Sequence, residues 1–145
     1  MIVVVDTNAV LGAFTEGHAH RPILDAWLDG RLTWAVSTEI RFEYEEILTR
    51  RSGQERAAKA LHLIEVMADA DLCRRIVPHF QWRLIVADPD DNKFADCAIA
   101  AEAEWIITED AGDHAGFPRR RECPSRPNGG NPESPRPCIY RSGRR

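Results

Sequence analysis

The chain has 145 residues, enough for about one domain, and its 43% hydrophobic content suffices for a buried core. The net charge of −4 is uneven: residues 1–116 carry 11 Lys+Arg against 21 Asp+Glu, a balance of −10, whereas residues 117–145 carry 8 Arg against 2 Glu, a balance of +6. No apolar run reaches the roughly 18 residues of a membrane span, and the short opening apolar stretch has no basic segment before it as a signal peptide would, so a cytoplasmic protein is expected. The four cysteines (Cys73, Cys97, Cys123 and Cys138) show no CxxC spacing, which argues against both a zinc site and a disulfide framework and for buried or incidental thiols.

Taken in chain order, Ile2–Val5 is a β-branched run without polar alternation, the pattern of a strand buried on both faces. A turn over Phe14–His20 leads to a helix near Arg21–Asp29, with Pro22 in its first turn, Ile23, Leu24, Trp27 and Leu28 on one face, and Gly30 to end it. Thr33–Val36 is a second strand. Ser37 or Thr38 caps the next helix, whose apolar stripe is Ile40, Tyr44, Ile47 and Leu48. A further amphipathic helix spans Gln54–Met67 through Ala57, Ala60, Leu61 and Ile64, and weaker strand patterns lie at Cys73–Val77 and Arg83–Val86. Asp91 or Asn92 caps a helix that turns Phe94, Cys97, Ala98 and Ala101 inward, and Trp105–Thr108 is the last strand. Alternating strands and helices imply an α/β sandwich around a mostly parallel sheet. Residues 117–145, with six Pro, eight Arg and Ile139 as the lone aliphatic residue, cannot bury enough apolar surface to offset the entropy of ordering, and read as a disordered tail.

Carboxylates recur where strands end and helices begin. Asp6-Thr7-Asn8 follows the first strand, Glu39, Glu43, Glu45 and Glu46 crowd one helix, Asp88-Pro89-Asp90-Asp91 precedes another, and Glu109-Asp110 follows the last strand. The carboxyl edge of an open parallel sheet is where sites are built, and converging carboxylates suit a hard divalent cation. Each has a plainer reading. Asp6, Asp91 and Asp110 could serve as helix caps or turn formers. Glu43 could belong to a solvated charged face, and Glu39 and Glu46 share its helical phase. Asp96, set between Ala95 and Cys97, is an accessory candidate against ordinary solvation. His114 reads as a plain loop histidine. Trp27, Trp34, Trp82 and Trp105 read as core and edge packing.

The order and spacing of Val3-Val4-Val5-Asp6-Thr7-Asn8, Ser37 with Glu43-Tyr44-Glu45-Glu46-Ile47-Leu48, Asp88-Pro89-Asp90-Asp91-Asn92-Lys93-Phe94 and Ile107-Thr108-Glu109-Asp110 resemble a PIN domain, of the kind found in toxins of bacterial toxin–antitoxin systems. The resemblance covers residues 1–116 and implies a PIN-like three-layer sandwich. It implies a metal-dependent endoribonuclease that uses Mg²⁺ or Mn²⁺, with Asp6, Glu43, Asp91 and Asp110 as catalytic and metal-binding residues. Thr7 and Asn8 would steady the first carboxylate, Thr108 would steady the last, and Asp96 would be accessory. An RNA substrate, a small antitoxin protein and a homodimer follow as expected partners. Departures are Glu102 and Glu109 where the family has Gly, and an end at Gly116 that lacks the family's last helix and strand, which implies a truncated domain with an unpaired sheet edge. That end motivates a second reading: an inactive PIN-like module that binds a partner or nucleic acid. A phosphohydrolase with an aspartate nucleophile is disfavoured, because the second acid of its Asp-x-Asp pattern is replaced by Asn8.

Overall fold

The computed structural model describes residues 1–83, residues 89–108 and the backbone of residues 138–141. Four parallel strands form the body of one sheet: β1 (Ile2–Val5), β2 (Thr33–Ser37), β3 (Cys73–Ile76) and β4 (Trp105–Thr108). A fifth strand, β5 (Cys138–Arg141), joins antiparallel to β4, so the spatial order is β3-β2-β1-β4-β5. Five helices make the crossovers: α1 (Thr7–Ala13) and α2 (Arg21–Leu28) between β1 and β2, α3 (Thr38–Ser52) and α4 (Gln54–Asp69) between β2 and β3, and α5 (Asn92–Ala100), entered by a 3-10 turn at Pro89–Asp91, before β4. This is the α/β sandwich with a mostly parallel sheet that the alternating pattern implies.

The central strands are apolar throughout because both faces are covered. Val3, Val4 and Val5 pair with Trp105, Ile106 and Ile107 of β4, and Ile2 and Val3 pair with Thr33 and Trp34 of β2. Trp27 of α2 stacks on Trp34 with ring centroids 4.1 Å apart and planes 4° from parallel. The Trp27 indole N–H donates to the Leu72 carbonyl at 2.7 Å, which gives a fully buried ring its polar partner. The inward stripes of α3, α4 and α5 follow the helical periodicity: Ile40, Tyr44 and Leu48; Ala57, Ala60, Leu61 and Ile64; Phe94, Cys97, Ala98 and Ala101; Ile47 is only half-buried, and Leu28 at the end of α2 is exposed instead of packed. Cys73 and Cys97 are free and buried, and burial pushes their thiols up to about 11 and about 12.

Three expectations change. Helix α1 stands where the sequence reads as strand followed by turn. It is only two turns long, nearly every side chain on it is buried, and Gly12 weakens its helical signal, so it has no polar face to mark a period. The sheet edge at β4 is covered, and the disordered-tail reading is corrected at residues 138–141. Cys138-Ile139-Tyr140 is the one stretch of that Arg/Pro-rich segment with strand-forming side chains, and the open edge of β4 offers unpaired backbone groups to it. Trp82 is not core or edge packing but 54% exposed. The strand pattern at Arg83–Val86 lies outside the described residues from position 84. No helix among the described residues is long and apolar enough to cross a membrane.

Gly12 marks a close approach: a Cβ there would lie 2.4 Å from His18 Nδ1 and 3.0 Å from His20 Nδ1. The two imidazoles stack at 5.0 Å, with their Nδ1 atoms 3.1 Å apart. Burial first, and the neighbouring His18 second, push His20 down to about 4. The ordinary value is about 6.5, so between pH 6.5 and 4 the unfolded chain binds a proton the folded chain refuses. Stability supplied by neutral His20 is therefore complete above pH 6.5 and lost as pH falls through 4. An NMR titration should show the His20 imidazole turning near pH 4, with the urea midpoint falling across the same window.

Candidate active site

Parallel strands bring their carboxyl ends to one edge, and Asp6 and Thr108 stand there because the one follows β1 and the other ends β4, whereas Glu43 is carried by α3 and Asp91 by the start of α5. Asp6 leaves β1. Its backbone N–H donates to the Ile107 carbonyl of β4 at 2.8 Å, which locks the residue to the neighbouring strand. Its side chain is 8% exposed, and its Oδ2 accepts from the Thr108 hydroxyl at 2.7 Å. Asp6 occupies the N-cap position of α1 but makes no side-chain capping bond. The capping explanation of this aspartate therefore does not account for where its carboxylate points.

Glu43 is presented by α3, which Ser37 caps by accepting the Ile40 N–H at 3.3 Å. Among the glutamates of this helix its side chain is 24% exposed, against 73% for Glu46, and Glu39 is exposed as well. Helical phase alone left these three equivalent; packing turns only Glu43 inward. The Thr7 hydroxyl donates to Glu43 Oε1, and the Lys93 ammonium pairs with Glu43 Oε2. One residue on, the buried Tyr44 hydroxyl donates to the Val5 carbonyl, tying α3 to the end of β1 beside Asp6. Burial raises the Tyr44 phenol well above its ordinary range, and the negative charges of Asp6 and, less strongly, Glu43 push the same way.

Asp91 ends the 3-10 turn and takes the N-cap position of α5 without a side-chain capping bond. Lys93, on the first turn of α5, brings this helix start to Glu43. Asp96 is 6% exposed on α5, and its Oδ1 accepts the Trp82 backbone N–H at 2.9 Å. A buried carboxylate receiving a backbone donor is a fixed structural group. Asn8 is exposed on α1. Asp110, Glu109 and His114 lie outside the described residues. The structure thus forms two pairs, Asp6 with Thr108 and Glu43 with Thr7, and leaves Asn8 apart: Thr7 reaches Glu43 and not Asp6, and Thr108 holds the first acid where the sequence assigned it to the last. No three His, Cys, Asp or Glu among the described residues gather as a metal-binding group.

Two contributors escaped the sequence reading. Lys93 lies in the Asp-Asp-Asn-Lys-Phe stretch, and its spacing from Asp91 was a usable sign that a cation enters the acidic site. Tyr44 was assigned to the apolar stripe, which is correct for its ring but silent on its hydroxyl.

Residues 2–112 match the PIN domain family. No curated protein matches the chain. Among solved structures, the fold is similar to a chain in the crystal structure of VapBC2 from Rickettsia felis bound to a DNA fragment from their promoter. The TM-score is 0.54 at 18% identity, over 76% of this chain and 89% of that one. At that identity the likeness concerns the fold.

The Tyr44 hydroxyl has a checkable weight. Tyr44→Phe keeps the ring and removes the donor to the Val5 carbonyl, so it should cost about 1–3 kcal/mol. A urea titration should show a lower midpoint with an unchanged slope.

Proposed function

This chain belongs to the PIN-domain family, and from that premise we propose that it is a metal-dependent endoribonuclease, the toxin of a toxin–antitoxin pair acting in the cytoplasm. The observation that carries the reading is the tethered carboxylate pair: Asp6 oriented by Thr108, and Glu43 oriented by Thr7, at the carboxyl edge of the sheet. Two acids oriented by hydroxyl donors are positioned to ligate a cation.

The donor set fits Mg²⁺ or Mn²⁺. It consists of carboxylate oxygens, the ligands hard cations prefer. Asp6 and Glu43 would hold the ion, with Asp91 and Asp110 as the proposed remaining acids and Asp96 as a supporting one. A bound dication would supply Lewis acidity and lower the pKa of a water that attacks the phosphodiester. The protein's own work is positional. Thr108 and the β4 backbone fix Asp6 in direction, Thr7 does so for Glu43, and Tyr44 fixes the spacing of α3 from β1. Lys93 pairs with Glu43 and offers an ammonium where scissile phosphate charge would approach.

The solved VapBC2 complex motivates the partner: by analogy of fold, a small antitoxin protein would cover this chain. A second reading, an inactive module that binds RNA or protein, draws on the lack of a three-acid group among the described residues.

The test is RNA cleavage with and without metal. Asp6→Asn should lower cleavage by at least about 100-fold with the fold intact, and Thr108→Val, which removes only the hydroxyl on Asp6, should lower metal affinity or activity about 10- to 100-fold. Mg²⁺ or Mn²⁺ should raise the melting temperature of the wild type by binding the folded form. Cleavage that persists in EDTA would overturn the metal mechanism. A metal-dependent rise in melting temperature without cleavage of any RNA would favour the binding module.

A further inference from the structure

Lys93 stands where neither helix stability nor composition accounts for it. It is the second residue of α5, whose first turn holds no acidic residue. A helix start carries partial positive charge, so a cation there is disfavoured. Of the 19 Lys and Arg residues of the chain, only Lys59 and Lys93 are lysine. Lys59 is an exposed partner of Glu55, one turn away on the same helix. Lys93 instead reaches across to α3 and pairs with Glu43 Oε2, the two side chains being only 21% and 24% exposed.

This pair completes the partners of Glu43: Thr7 donates to Oε1 and Lys93 to Oε2, so each oxygen has a donor from the protein. A dication arriving at Glu43 meets an ammonium on the same carboxylate, and like charges at contact repel strongly. The use of lysine bears on how firmly that place is held. An arginine would grip the carboxylate with two parallel N–H donors, whereas an ammonium is a point charge on a flexible stem. The stem also has a second environment in reach. Lys93 lines a cavity of about 550 Å³ together with Glu39, Asp90 and Asp96, and Glu43 is not part of that lining. Carboxylates thus stand on two sides of the ammonium.

We propose that Lys93 is the resident counter-ion of Glu43 in the metal-free protein, and that a dication binds as the ammonium leaves Glu43 for the carboxylates of the neighbouring cavity. The proposal rests on the nuclease reading and deepens it: the protein's own cation holds Glu43 until metal takes it. No covalent bond changes; one ion pair is exchanged for another. The two cations compete for one carboxylate, so the strength of the Lys93–Glu43 pair sets metal affinity, each weakening the other by the same factor. Lys93 is in this respect a positioning residue that acts on the metal through Glu43.

The test uses the full chain and Mg²⁺, with two readouts that do not depend on RNA cleavage. The first is Mg²⁺ affinity by calorimetry. Lys93→Met keeps the stem and removes the charge, and should bind Mg²⁺ about 5- to 150-fold more tightly than wild type. Lys93→Arg should bind it more weakly than wild type, because the guanidinium grips Glu43 with two donors. The second readout is the NMR signal of the lysine side chains in protein made with isotope-labelled lysine, where Lys59 and Lys93 are the only two sources. Mg²⁺ should shift the Lys93 signal with the same midpoint as the heat of binding. The Lys59 signal should stay in place, matched NaCl should move neither, and Asp6→Asn should weaken the response to Mg²⁺.

A Lys93 signal that does not move at saturating Mg²⁺ overturns the exchange, and this result needs no variant. Equal or weaker Mg²⁺ binding by a folded Lys93→Met overturns it as well. Either outcome beside Mg²⁺-dependent cleavage by the wild type leaves the nuclease reading standing. Absence of Mg²⁺ binding in both wild type and Lys93→Met overturns the two together. Tighter binding by Lys93→Met and a moving Lys93 signal, without cleavage of any RNA, upholds the counter-ion exchange and removes the nuclease.

Discussion

The site depends on how β1 is joined to β4. Two hydrogen bonds converge on one residue: the Asp6 N–H on the Ile107 carbonyl, and the Thr108 hydroxyl on Asp6 Oδ2. The first is an extension of the parallel ladder by one residue; the second is possible only because the ladder sets the register Val5↔Ile107 and so places Thr108 next to Asp6. A shift of one residue in that pairing would turn Thr108 to the other face. The apolar run that buries the strand and the carboxylate that ends it are therefore one device: close packing of Val3, Val4 and Val5 fixes the register, and the register aims the acid.

Charge acts on the same residues. Burial first, and the negative charges of Asp6 and, less strongly, Glu43, raise the Tyr44 phenol. Lys93 offsets part of that charge at Glu43, and its own ammonium lies 5.8 Å from the Phe94 ring centroid, close enough for a cation–π contribution. The acids are thus held by donors whose geometry is specific, hydroxyls from Thr7 and Thr108, and by the Lys93 ammonium.

Most of the fold was legible because burial on both faces and helical periodicity are written in composition: Ile2–Val5, the stripe Ile40, Tyr44, Leu48 and the stripe Phe94, Cys97, Ala98, Ala101. Helix α1 was not, since a two-turn helix with Asn8 as its one exposed residue repeats no polar phase. Strand β5 was not, since edge pairing depends on a partner distant in sequence and not on local pattern. In the site, Asp6 was legible from its position after an apolar strand. Glu43 was not separable from Glu39 and Glu46 by spacing, and only packing against Thr7 and Lys93 distinguishes it. Trp82 was misread because an aromatic residue in a globular chain is ordinarily buried, and sequence alone did not reveal that its backbone is anchored while its ring is not.

Sequence distance within the site has a thermodynamic consequence. Thr108 and Asp6 are 102 residues apart, and Thr7 and Glu43 are 36 apart, so neither donor–acceptor pair exists before the sheet and α3 have assembled. In the unfolded chain these carboxylates are dispersed and repel one another little. Folding brings each to its own donor: Asp6 to the Thr108 hydroxyl, and Glu43 to the Thr7 hydroxyl and the Lys93 ammonium. A ligand that favours gathered carboxylates binds the folded state alone, and its affinity is a direct addition to stability. The apolar pairing of β1 with β4 and β2 is what brings those distant donors and acceptors together.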